Sequence, residues 1–136
     1  MKIPAYYLPL AALFLLTAAS CSKSSDPAPA PTAVPQEYMV EYQVSSPTAT
    51  SADYVAYNDE KNSSITLATT PLPLSYAFKR TMKKGEYLTL SATLPAAPTG
   101  TTQTLRTTIL LNGKPVKQGE TTANAPAAQA IYVIGE

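Results

Sequence analysis

From Tyr38 onward apolar side chains recur at every second position, and a chain with that period can bury them only as strands. Tyr38, Val40, Tyr42 and Val44 alternate with Glu37, Met39, Glu41 and Gln43, which gives one dry face and one wet face. The same reading predicts strands over residues 52–58 and 64–69, joined by the polar turn Asn58-Asp59-Glu60-Lys61-Asn62. Pro71 and Pro73 flank Leu72, so the next strand is expected from about Leu74, with Leu74, Tyr76 and Phe78 on one face. Lys83-Lys84-Gly85 then turns the chain into a strand where Leu88, Leu90, Ala92 and Leu94 alternate with hydroxyl residues. After a loop at 95–100, Leu105, Thr107, Ile109 and Leu111 alternate with Arg106, Thr108 and Leu110. Asn112-Gly113 follows, the pair best suited to the positive φ angles of a type I′ hairpin. Strands over 116–122 and 128–134 end the series.

About seven or eight short antiparallel strands predict an all-β fold, a two-sheet β-sandwich of immunoglobulin-like architecture. The inner faces are expected to come from the tyrosines and from Leu74, Phe78, Leu88, Leu90, Ile109, Leu111, Ile131 and Val133. With 136 residues in all, there is material for one such domain, expected over 37–136. Threonine is abundant, which suits strands with a solvated outer face.

What precedes the strands reads as an address and a mooring. Residues 1–20 carry a basic start, an apolar run from Leu8 to Leu16 and then small residues, the pattern of a signal peptide. The run is shorter than the ~20 residues a bilayer-spanning helix requires, and Pro9 interrupts it. Ala18-Ala19-Ser20-Cys21 resembles the bacterial lipobox, with Ala18 where a leucine is usual. That resemblance implies cleavage before Cys21 and acylation of it by a diacylglycerol and an N-linked chain such as palmitate. An ordinary secretory signal cut near Ser20 is the other reading. Each buried methylene adds ~0.8 kcal/mol, so several chains anchor a protein nearly irreversibly. The stretch 21–36 is rich in Pro, Ala and Ser and has no apolar face, so it reads as an extended tether of ~3.1 Å per residue.

Charge and composition remove several classes of function. The chain has ten basic and nine acidic residues, and loss of Lys2 with the leader leaves nine of each. Such a balance lacks the concentrated basic face that nucleic acid demands. There is one cysteine and no histidine, which excludes an internal disulfide, a Cys/His zinc centre and any histidine-based triad. Five glycines form no phosphate cradle. No cofactor is implied.

Tyr42-Gln43-Val44-Ser45, the run 52–58 and Leu72-Pro73-Leu74-Ser75 follow one another in an order that carries a family resemblance. It continues through Leu88-Thr89-Leu90-Ser91-Ala92 and the run 108–114. In this order the chain resembles short lipoproteins of Bacteroidetes and, more distantly, the mycobacterial membrane protein small (MmpS) family. The resemblance implies a small envelope β-sandwich, and members of the mycobacterial family accompany large exporters. Here Leu74 stands where that family has tryptophan, its cysteine pair is missing, and a lipid anchor replaces its transmembrane helix.

Three groups of side chains are candidates for chemistry. Asp53, Asp59 and Glu60, with Asn58 and Asn62, offer oxygens to a calcium ion, or else form a solvated turn with Lys61 in its middle. Lys79, Arg80, Lys83 and Lys84 form a candidate basic contact patch around one turn, for anionic headgroups or an acidic partner. Lysines at a strand end equally deter edge-to-edge pairing. Tyr38, Tyr42, Tyr76 and Tyr132 are expected to pack in or near the core, and Tyr54 and Tyr57 must face opposite ways. The sequence thus predicts a non-enzymatic, lipid-anchored binding or accessory module of the bacterial envelope, on the outer membrane, with a transporter or other envelope protein as partner. A carrier or sensor of a small lipid or glycan is the alternative.

Overall fold

A computed structural model describes residues 34–136. Eight strands follow one another: β1 (Gln36–Ser45), β2 (Ser51–Asn58), β3 (Ser64–Pro71), β4 (Leu74–Met82), β5 (Tyr87–Thr93), β6 (Gln103–Leu111), β7 (Lys114–Ala123) and β8 (Ala127–Val133). They form two antiparallel sheets of four, β4-β1-β6-β7 and β3-β2-β5-β8, packed face to face as a β-sandwich. Apart from the hairpins β2–β3 and β6–β7, every connection carries the chain from one sheet to the other. Asn112 and Gly113 turn the second hairpin with φ of 51° and 76°, as the Asn-Gly pair requires.

β1 is paired on both sides, with β4 from Gln36↔Met82 to Val44↔Leu74 and with β6 from Val40↔Leu111 to Ser45↔Arg106. Its Val40, Tyr42 and Val44 are fully buried, and they meet Val55, Tyr57, Leu88 and Leu90 of the facing sheet. Side-chain size falls across this core. On the β3/β4 side the rings of Tyr42, Tyr57, Tyr76 and Phe78 touch one another, with centroids 5.0–5.6 Å apart. On the β7/β8 side the inward residues around Gly119 are small, Thr107, Ala128 and Ala130, while Val116 and Tyr132 pack against the core nearer the end where the chain enters. There the edges of the two sheets close on each other, whereas β3 and β4 stay apart. At Gly119 a Cβ would lie 2.7 Å from the carbonyl carbon of Gln129 and closer still to its oxygen, so only glycine permits this approach.

This narrowing corrects the expected lining of β8. Ile131 was expected inside, but it is 44% exposed on the outer face, while Ala128, Ala130 and Ile134 are buried. Val133 is half-buried. The gap beside Gly119 holds alanine and cannot hold isoleucine, so β8 turns Ala128 and Ala130 inward there, and Tyr132, in the same phase, packs against the core beyond the gap. Leu74 and Phe78 are half-buried at the opposite, open side. Tyr54 is 40% exposed and Tyr57 is buried, facing opposite ways as their odd spacing demands.

Two polar groups, the Tyr42 hydroxyl and the Arg80 guanidinium, are buried at the aromatic side of the core. The Tyr42 hydroxyl is buried with no hydrogen-bond partner among the described residues. Burial raises its pKa well above the ordinary value, an effect that nearby Arg80 partly offsets. A raised folded-state value means that stability is fully present below the unfolded value near 10 and is lost as pH rises beyond it. Tyr42→Phe is therefore expected to leave stability at pH 7 unchanged or to raise it by up to about 1 kcal/mol, and to flatten the alkaline loss. Urea melts at pH 7 and pH 11 measure both. Gly119→Ala is expected to cost about 2–3 kcal/mol by the same melts, because backbone must move to admit the methyl group.

Candidate functional site

The expected lipidation site, Cys21, lies outside the described residues. Each of the other candidates can be placed. The register Gln36↔Met82 and the bond from Asn112 N to Met39 O (2.8 Å) put three turns at the end where the chain enters the sandwich. These are 59–63, 83–86 and 112–113. The connections 46–50, 72–73, 94–102 and 124–126 lie at the far end.

The structure divides the basic quartet. Successive residues of a strand point to opposite faces, so Lys79 and Arg80 cannot share a surface. Lys79 lies on the outer face, 3.2 Å from Glu37, with both side chains well exposed. Arg80 points into the sandwich in phase with Tyr76 and Phe78, and its side chain is 6% exposed. Its Nη2 donates to Glu86 Oε2 at 3.2 Å, while its buried Nη1 has no partner. Lys83 and Lys84 are exposed in the turn that follows. The expected contact patch places Arg80 on the surface, but the period set by Leu74, Tyr76 and Phe78 continues to it and carries it inward.

Asp59 serves its own turn. Its Oδ1 accepts from the backbone N–H groups of Lys61 (2.9 Å) and Ser63 (2.7 Å), which is the side-chain chemistry of a tight turn. Glu60 accepts from the Tyr76 hydroxyl at 3.3 Å, and Asp53 is exposed on β2. Burial, followed by the charges of Asp59 and Glu60, raises the pKa of Tyr57. Among the described residues no group of three or more His, Cys, Asp or Glu converges as metal ligands would. The tyrosines spend their faces on one another, so the aromatic cluster is core and not an open platform.

The far end is built differently. Its four connections contain no charged residue, and all the charged turn residues, Asp59, Glu60, Lys61, Lys83, Lys84 and Glu86, sit at the entry end. The long connection 94–102 is held down rather than left loose. Asn124 Nδ2 donates to the carbonyls of Ala97 (2.8 Å), Thr101 (3.1 Å) and Pro98 (3.3 Å), and Gln103 Nε2 donates to that of Pro95 (2.7 Å). Backbone bonds from Leu94 N to Pro126 O and from Ala97 N to Asn124 O join the two connections. Two shallow clefts open beside them and meet at Ser45. One, of about 380 Å³, is lined by Ser45, Ser46, Pro47, Thr104 and Arg106. The other, of about 300 Å³, is lined by Gln43, Val44, Ser45, Pro73, Leu74 and Ser75. Arg106 is fixed by Glu120, whose Oε2 accepts from its Nη2 at 2.6 Å and its Nε at 2.7 Å. On the same outer face Glu41 accepts from Gln43 (2.7 Å) and Ser75 (2.9 Å), and these bonds lower its pKa. The arrangement offers hydroxyls, prolines and fixed carbonyls to a partner.

Sequence reasoning did not find this surface. Asn124 and Gln103 look like ordinary loop residues, and their targets are main-chain oxygens that no residue type announces.

Among the described residues Glu86 is the sole side-chain partner of the buried Arg80 guanidinium. Glu86→Gln should cost about 1–3 kcal/mol, since Glu86 is itself partly exposed, whereas Arg80→Met should stay within about 1 kcal/mol of the parent. Chemical denaturation of the two variants checks the order. No protein-family model matches this chain, and no curated protein matches it.

Proposed function

We propose that this chain is a non-enzymatic, lipid-anchored binding module of the bacterial cell envelope, moored to the outer membrane through acylated Cys21. The observation that carries this reading is the division of the domain into two unlike ends. The chain enters β1 at the end that bears the charged turns, so a tether from Cys21 leads to that end. The opposite end carries uncharged connections fixed by Asn124 and Gln103. Cores of protein contacts are depleted in charge, and a contact surface that is already rigid loses less entropy on binding. A neutral, pre-ordered surface of this kind suits a protein partner. The partner is sought among envelope proteins, transporters included, because the order of strands and turns resembles that of exporter-associated proteins.

Intact mass spectrometry of the chain extracted from membranes tests the anchor. A mass that begins at Cys21 and includes acyl chains is expected, and Cys21→Ala should leave the membrane fraction. An unmodified, soluble parent would overturn the reading.

A further inference from the structure

Of the four edge strands, β4 alone is both regular and left uncovered by the described residues. β7 contains Pro115, lies opposite a register shift at Ile109/Leu110, and closes on β8 through Gly119, so neither member of that pair is open. β3 is interrupted by Thr69, with φ of 48°, and ends at Pro71. β4 pairs residue for residue with β1 over its whole length and shows no irregularity. Its far edge therefore presents an unbroken row of backbone donors and acceptors, the feature that most invites another strand. Its inward row is unfinished too, for Leu74, Tyr76 and Phe78 are half-buried at the side where β3 and β4 stay apart.

We propose that β4 pairs antiparallel with β4 of a second copy of this chain, about a two-fold axis at Ala77, and so joins two four-stranded sheets into one of eight. The side chains of β4 complement themselves in this register. Ala77, the smallest of the outer row, faces its own twin, where any large or charged residue would meet its like. Ser75 faces Lys79 of the second copy, which keeps the two lysines apart. On the inner side Tyr76 meets Phe78 of the second copy twice, and so covers the half-exposed rings. The only charge on the outer row, Lys79, is tied to Glu37 within its own sheet. Antiparallel pairing inverts one copy, and on the anchored reading above the two tethers leave from opposite ends. The pairing itself does not depend on the anchor.

Two measurements on the full chain decide it. Ala77→Cys, oxidised in intact cells, should convert most of the chain into a disulfide-linked dimer. Thr81→Cys on the same face and the parent, whose single cysteine is Cys21, should not. Equal cross-linking by Ala77→Cys and Thr81→Cys, or none above the parent, would overturn the proposal. In detergent, sedimentation should give the mass of a dimer for the parent and of a monomer for Ala77→Lys, an exposed position whose new charge faces Glu41 in its own sheet. Unchanged far-ultraviolet dichroism would show the fold intact. Mixing Ala77→Lys with Ala77→Glu should restore the dimer. A parent that sediments as a monomer, or cross-links through Ala77→Cys only to another protein, would show that no second copy occupies this edge.

Discussion

Gly119 lies against the Gln129 carbonyl, and that contact sets the shape of the sandwich. It brings β7 and β8 so close that beside it only threonine and alanine lie between the sheets, while Val116 and Tyr132 pack against the core further along the same strands. Two twisted sheets that converge along one side diverge along the other, and the space that opens must be filled. Tyr42, Tyr57, Tyr76 and Phe78 fill it. The taper from alanine to tyrosine is thus one continuous packing solution, and the half-exposed rings at the open side follow from the tight approach at the closed side.

The wide side is also where the core tolerates polarity. Arg80 enters it because β4 alternates without a break, and its aliphatic stem joins the inward row while its guanidinium reaches Glu86 at the rim. Tyr42 brings a large ring at the cost of a hydroxyl that no group among the described residues satisfies. Each of these residues supplies volume where volume is scarce, and the polar atom comes with it. A pure hydrocarbon of the same size would pack as well or better, which is why loss of one partner and replacement by an apolar isostere have unlike energetic consequences.

Period two was enough to read the fold class, the strand sequence and the Asn112-Gly113 hairpin, since these depend on local pattern and turn chemistry. β8 shows the limit of that reading. Ala-Ala-Gln-Ala-Ile-Tyr-Val has apolar residues in both phases, and hydropathy prefers Ile131 inward. The choice falls to the width of the gap, which is fixed by a glycine on a strand of the other sheet. The basic run 79–84 shows a second limit: proximity in sequence suggested one patch, whereas the pleat sends Lys79 and Arg80 to opposite faces. Strand order across the sheets and the tie between Asn124 and the loop at 94–102 depend on pairing between distant segments, and no local pattern encodes them.

The segregation of charge between the two ends has its own physical logic. Tight turns at the entry end are made from Asp, Asn, Lys and Gly, which satisfy a short reversal through side-chain and solvent hydrogen bonds. The far-end connections all cross from one sheet to the other, each contains proline, and one of them, 94–102, is the longest connection among the described residues. A nine-residue crossing without hydrogen bonds would be mobile. Asn124 and Gln103 answer several of its carbonyls from neighbouring segments and leave the prolines, threonines and alanines on the outside. Rigidity there is obtained without charge, and a surface of that kind can be covered by another protein with little electrostatic desolvation and little loss of loop entropy.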